Sequence, residues 1–208
     1  PISYQSNHIE RYQAILQQLV AQGDAYYCEC NRKRIKAIGG IYDGKCRTLG
    51  LPAMGNTVRL CNNTLTTAFN DVLHGRVSVD PAFAAQDIVL QRRDELFSYN
   101  LAVVADDIAQ GITQVVRGYD LAECSVVQNF LYQRLNNPAP QYLHLPLIKN
   151  SEGKKLSKHQ QSPAVSTANV EQVTYEVLKV LGLPVTVELH DLKQKALLDW
   201  GIKHWHLD

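Results

Sequence analysis

Residues 147–159, LIKNSEGKKLSKH, set Lys154, Lys155 and Lys158 around Ser157 in a segment punctuated by Gly153, directly after an apolar stretch that reads as a strand. Compact ammonium charges on a hinged loop can follow negative charge as it builds on nucleotide phosphate oxygens during nucleotidyl transfer. A lysine-rich turn is, in most sequences, only solvated surface. A second constellation is Cys28 and Cys30, which flank one residue, with Cys46 further on and Gly39, Gly40 and Gly44 between them to turn the chain back. Tetrahedral zinc takes four ligands, and this C-x-C start is tighter than usual, so the residues alone leave a zinc site and a cluster of free buried thiols both open. Cys61 and Cys124 have no such neighbours and read as ordinary apolar residues. A third candidate is Arg117 at the end of an apolar strand, equally suited to gripping a carboxylate and to pairing with Asp106, Asp107 or Asp120.

The elements that must position these groups follow from periodicity. Ile9, Tyr12, Ile15, Leu16, Leu19 and Val20 recur at helical spacing over 7–22, and Gly23 is a stop signal. From about 24 to 94 the texture changes to short β-prone pieces (AYYC, TVRL, TTAFN, GRVSV, DIVLQR) between turn formers, which predicts a small β-rich module. In 100–116 the run LAVVA fits helix or strand, whereas ITQVV predicts a buried strand. Asp120 opens a helix carrying Leu121, Cys124, Val127, Leu131 and Leu135 on one face until Pro138 and Pro140, and YLHLPL resumes an extended path. This alternation of strand and helix predicts an α/β fold. The tail predicts two helical sets, one on Val170, Val173, Val177, Leu178 and Leu181, the other on Leu189, Leu192, Ala196 and Trp200.

Composition sets the bounds. At 45% hydrophobic and 20% charged, 208 residues are ordinary globular material, which excludes disorder. No apolar run approaches a membrane span and no basic-then-apolar leader opens the chain, so a cytoplasmic protein without membrane contact is expected. Five cysteines, an odd number with three clustered, fit a reducing compartment and metal binding better than disulfides. A net charge of +1 means that any RNA contact must come from local patches such as Arg32, Lys33, Arg34, Lys36, Lys45 and Arg47.

Read together, KLSKH at 155–159 after HLPLIKNSEGK is similar to the KMSKS-type signature of class I aminoacyl-tRNA synthetases. LFSYNLAVVADDIAQGITQVVRGYDLAECSVVQ at 96–128 resembles the second half of a glutamyl-tRNA synthetase catalytic domain, and YYCECNRKRIKAIGGIYDGKCR at 26–47 narrows the resemblance to the glutamyl-Q tRNA(Asp) synthetase family of short paralogues. The resemblance implies a Rossmann-type nucleotide-binding fold, present here as its second half. The expected organisation is the end of the first half at 1–23, an inserted zinc-containing β-rich module at 24–94, the second half at 95–150, and the KLSKH loop with a short helical tail at 151–208. It makes Tyr42 the fourth ligand of a structural Zn²⁺ beside Cys28, Cys30 and Cys46, and assigns glutamate binding to Tyr99 and Arg117. Lys158 becomes the catalytic lysine of the ATP site, with Lys155, Leu156, Ser157 and His159 completing the loop. The implied partners are glutamate, ATP with Mg²⁺ and the anticodon stem-loop of tRNA(Asp), whose queuosine accepts the glutamyl group without tRNA being needed for activation; a monomer is expected.

The sequence departs from the family in one respect: the HIGH-type signature near the N-terminus is missing, and His8 lies in a helical pattern instead of a phosphate loop. A fragment of a longer protein is expected in preference to a paralogue that has lost activation. The tail is too short for the anticodon-binding region of an ordinary glutamyl-tRNA synthetase, so readout by such a domain is not expected. Two alternatives remain: a fragment of an ordinary glutamyl-tRNA synthetase, and a non-catalytic module that binds zinc and RNA.

Overall fold

The architecture comes from a computed structural model that describes every residue except Pro1, Thr64, Leu65, 158–161, Pro163, Ser166, Leu207 and Asp208. Helix α1 (Ile9–Ala21) buries Tyr12, Leu16 and Leu19, residues spaced to share one face, and ends where Gly23 turns at φ 76°. His8, expected on this helix, instead occupies the N-cap position.

Two sheets follow. Strands β1 (Ala25–Cys28), β2 (Thr57–Leu60) and β5 (Ile88–Gln91) form an antiparallel sheet in the order β1-β2-β5, with helix α2 (Arg32–Ala37) leaving the end of β1. Strands β3 (Ala68–Asp71) and β4 (Gly75–Ser78) form a hairpin, and α3 (Pro81–Ala84) starts on an Asp80 cap. That hairpin joins β6 (Gln114–Gly118) and β7 (Gln141–Leu145) in a mixed sheet ordered β4-β3-β7-β6, in which β3 and β6 both run parallel to β7. The strands of residues 24–94 are therefore divided between two sheets. Helix α4 (Tyr99–Gln110) ends at Gly111, whose left-handed φ of 66° frees it to turn into β6. Helix α5 (Ala122–Arg134) is the crossover between parallel β6 and β7, which makes this half an α/β fold of the Rossmann type.

Two expectations are corrected here. The strand carrying ITQVV is not buried: β6 is the edge of its sheet and Val116 is 61% exposed. Helix α5 does not bury the single face of Leu121, Cys124, Val127, Leu131 and Leu135. It buries Ala122 and Val126 against Phe69, Val77 and Tyr142, and Phe130, Leu131 and Tyr132 in the core of Leu19, Leu60, Leu90 and Leu101. A helix serving two cores shows no single stripe, so one-face periodicity misplaces its contacts. Each fully buried leucine in the larger core contributes about 2 kcal/mol by removal from water.

In the tail, α6 (Val170–Val180) and α7 (Gln194–His204) pack Tyr175, Leu178, Leu183 and Leu197 together. Val177, expected in this face, is exposed. The helices approach so closely at Gly201 that a Cβ there would stand 2.6 Å from Leu178 Cδ2. Among the described residues no helix is long and apolar enough to cross a membrane.

Candidate active site and metal centre

The cysteine cluster forms where β1 runs out. Cys28 ends the strand, Cys30 precedes the Asn31 cap of α2, and the glycine-rich return brings Cys46 back beneath them. All three are buried, their sulfurs lie within 4.8 Å of one another, and Cys30 and Cys46 approach to 3.5 Å. The Tyr42 hydroxyl is buried in the same cluster, accepting the Cys28 thiol at 3.4 Å and the Cys46 N–H at 3.0 Å. Burial and the adjacent Cys46 and Cys28 sulfurs push Cys30 up to about 11. Burial acts on Cys28 too, but the hydrogen bonds it shares with Tyr42, the Cys30 backbone and the Arg59 guanidinium outweigh it and bring its thiol below the ordinary value.

A metal suits this donor set. Tetrahedral zinc with bonds of about 2.3 Å places thiolates roughly 3.8 Å apart, near the spacing found. The Arg59 guanidinium stacks 4.0 Å from the centre of the Tyr42 ring, and its Nε is buried without a hydrogen-bond partner. A buried cation with an unsatisfied N–H is at home beside an anionic metal–thiolate group.

Of the basic residues singled out as RNA contacts, several serve the fold. Arg34 forms a two-pronged bond with Asp43, Lys45 lies 3.6 Å from Glu29, and Arg47 grips the buried Asp87 at 2.6 and 2.8 Å. Asp87 also accepts Tyr26 and the Asn62 N–H, so it ties the cysteine segment to β5. Arg32, singled out in the same patch, lines a cleft of about 620 Å³ together with Arg59, Arg92 and Arg93, which were not recognised in the sequence, and with Phe97 and Tyr99 at the α4 end.

Tyr99 opens α4 and Arg117 is the penultimate residue of β6, and the fold brings the Arg117 guanidinium 3.5 Å from the Tyr99 hydroxyl. No described carboxylate forms an ion pair with Arg117. Asp106 is held by His8, Arg11 and Tyr12, Asp107 by Tyr132, and Asp120 by Lys155. Arg117 instead donates to Ser125 Oγ at 2.6 Å, the Leu121 carbonyl at 3.3 Å and His144 Nε2 at 3.2 Å. His144 and Asp71 behind it are completely buried, an ionisable pair that periodicity passed over. One signal was available, a lone imidazole inside the apolar YLHLPL strand.

The lysine segment is a hairpin. Lys149 pairs with Lys155, the Leu156 N–H returns to the Ile148 carbonyl at 2.9 Å, and Asn150 closes the turn with Gly153 at φ 76°. Lys155 reaches Asp120 at the start of the β6–α5 turn, beside the Arg117 pocket. Lys154 pairs with the exposed Glu152 at 2.8 Å. The Ser157 N–H meets Ser162 Oγ at 3.1 Å. Lys158 and His159 lie outside the described residues.

Residues 1–185 match the family profile of the catalytic domain of class I tRNA synthetases (E and Q). Proteins named glutamyl-Q tRNA(Asp) synthetase from Pectobacterium atrosepticum and Yersinia pestis are 46% and 45% identical over all of this chain, which covers 64% of each. The one from Serratia proteamaculans is 44% identical, and this chain covers 68% of it. The chain belongs to the glutamyl-Q tRNA(Asp) synthetase family. It thus spans about two thirds of the length of these family members. The family fold is visible in crystal structures of glutamate tRNA ligases. One from Elizabethkingia meningosepticum, in complex with its amino acid, superimposes with a TM-score of 0.70 over 100% of this chain and 50% of its own, at 21% identity. One from Elizabethkingia anophelis gives 0.70 over 98% and 50%, at 22% identity.

Proposed function

We propose that this chain is the core of an enzyme that activates glutamate with ATP and passes the glutamyl group to queuosine in the anticodon of tRNA(Asp). The observation that carries the reading is Arg117. It lies near the end of a strand beside Tyr99, has no carboxylate partner among the described residues, and sits next to the lysine hairpin through Asp120. A guanidinium fork held beside a tyrosine hydroxyl is suited to a substrate carboxylate.

In the first step a glutamate α-carboxylate oxygen bonds to the α-phosphorus of ATP while the bond to pyrophosphate breaks. Arg117 and Tyr99 orient the amino acid. The lysine loop, with Lys155, Leu156 and Ser157 leading into Lys158 and His159, neutralises charge on the leaving phosphates, a task it shares with Mg²⁺ carried by the nucleotide. In the second step a queuosine hydroxyl attacks the activated carbonyl and AMP leaves. The guanidinium cleft beside Tyr99 would hold the phosphates of the anticodon stem-loop, which makes RNA binding salt-sensitive. Zn²⁺ on Cys28, Cys30, Tyr42 and Cys46 would be structural, because four protein ligands leave no open position for substrate.

The test is glutamate-dependent exchange of pyrophosphate into ATP by the native protein without tRNA. Arg117→Leu should reduce exchange by about 100-fold or more, the effect of removing one partner of a desolvated charge pair. Wild-type exchange in that variant would remove Arg117 from the site.

A further inference from the structure

Arg117 can donate from Nε but never accept, so the His144 Nε2 that faces it at 3.2 Å must present a lone pair. The Ser125 hydroxyl, 3.1 Å from the same nitrogen and already accepting an Arg117 N–H, is placed to give its own proton there. The imidazole hydrogen is therefore on Nδ1, 2.7 Å from Asp71 Oδ2. That oxygen also accepts the His144 backbone N–H at 3.0 Å, and Asp71 Oδ1 accepts the Leu73 and His74 N–H groups at 2.9 and 3.0 Å. Four donors on one carboxylate favour its ionised form. The chain of groups reads Asp71 carboxylate, neutral imidazole, guanidinium, with each donor facing an acceptor.

We propose that Asp71 and His144 are positioning residues that hold the Arg117 guanidinium in the plane and orientation in which it receives the carboxylate of the amino-acid substrate. The inference rests on the reading of Arg117 as the glutamate-binding residue. The fold supports it through register: Arg117 and His144 are paired residues of parallel β6 and β7, and Asp71 lies on β3 against Tyr142, on the other side of β7. Three adjacent strands thus carry one connected line of hydrogen bonds, leaving the Tyr99 side of the guanidinium for the ligand. Among the described residues Asp71, Arg117 and His74, the last bonded to the His144 carbonyl at 2.8 Å, are the charged or titratable groups facing this imidazole, apart from the rings of Tyr119 and Tyr142. Burial pushes His144 below its ordinary value against the pull of Asp71, and Arg117 adds to the depression. The relay accordingly stays in its working protonation state at neutral pH.

Two measurements on the full chain test this. Long-range ¹⁵N–¹H NMR of histidine-labelled protein should show His144 neutral, protonated on Nδ1 and bare on Nε2. An Nε2–H tautomer overturns the relay without any substitution being made. In Asp71→Asn an amide N–H facing Nδ1 should move the proton to Nε2, against Arg117, and weaken glutamate binding by about tenfold or more while ATP binding changes by less than about twofold. His144→Gln, whose amide oxygen can accept the Arg117 Nε–H, should bind glutamate more tightly than His144→Leu, a rescue that volume alone does not give. Folded Asp71→Asn and His144→Leu proteins with parental glutamate affinity overturn the proposal. If Arg117→Leu also binds glutamate normally, the assignment of the pocket fails instead, and the tautomer still decides the relay.

Discussion

The cysteine knuckle and the Arg117 pocket, the latter open at Tyr99, are both clusters of ionisable side chains, yet they are assembled in opposite ways. Cys28, Cys30, Tyr42 and Cys46 come from one short loop-rich stretch and face one another because glycines fold it back. Asp71, Tyr99, Arg117, Ser125 and His144 come from three strands and two helices, and meet only when β3, β7 and β6 take their register. A cluster made locally, with few apolar residues packed on it, is where the proposed zinc would add most to stability. A cluster made by sheet register is held by the core behind it and needs no ligand to exist.

The largest expected consequence lies in the knuckle. On the proposed zinc site, Cys46→Ser should abolish stoichiometric zinc binding and cost the β1–α2 region about 3 kcal/mol or more, since metal-binding energy in such sites is folding energy. Elemental analysis and hydrogen exchange across β1, α2 and α5 check this, and protection should fall around Cys28 and Cys46 while α5 is spared. Loss of protection in α5 as well would mean that the two clusters are one cooperative unit, and the contrast would break.

The same contrast explains what could be read from the sequence. Cys28, Cys30 and Cys46 were visible because neighbours in sequence are neighbours in space, and α1 was visible because its one buried face leaves a helical stripe. Tyr42 and the pairing of Tyr99 with Arg117 came only through resemblance, since no local pattern marks them. His144 and Asp71 were missed because nothing local says that β3 and β6 both lie beside β7. The reading of β6 as buried failed for a related reason: its valines have apolar character, but position in the sheet decides exposure, and β6 is the edge.

An intermediate effect concerns acid. Asp71 is held below its ordinary 3.8, burial opposing the shift and the hydrogen bonds of His144, His74 and Leu73 overcoming it. His144 lies below its ordinary 6.5, chiefly through burial. For both groups the folded value is lower than the unfolded one. Their stabilisation is complete above the unfolded value and is lost as pH falls towards the folded one. Urea unfolding between pH 7.5 and 5, a range spanning the ordinary histidine value, should show stability falling with acid as the unfolded chain takes up the proton that buried His144 resists. His144→Gln should flatten that limb. The comparison sharpens if zinc-loaded and chelator-treated protein share this limb while differing in overall stability, because the register-built cluster then titrates independently of the knuckle.

The smallest effect belongs to the seam between the Arg117 pocket and the lysine hairpin. A Cβ on Gly118 would stand 2.6 Å from Asp120 Oδ1 and 3.2 Å from Leu147, so glycine is what lets the carboxylate lie against the end of β6 and reach Lys155. The Lys155 hydrogen bond is the leading cause that keeps Asp120 below its ordinary value. Both side chains are more than a third exposed, and an ion pair in that setting contributes under about 0.5 kcal/mol to stability. Asp120→Asn should therefore leave the melting temperature nearly unchanged. Its effect should appear in nucleotide binding: a lysine released from a competing carboxylate is freer to meet a phosphate, so the KM for ATP should fall by about twofold, and the gain should shrink as salt screens the charge. A rise in KM would mean that Asp120 holds Lys155 in place for the nucleotide instead of away from it, and the hairpin would then belong with the register-built pocket as a preset part of the site.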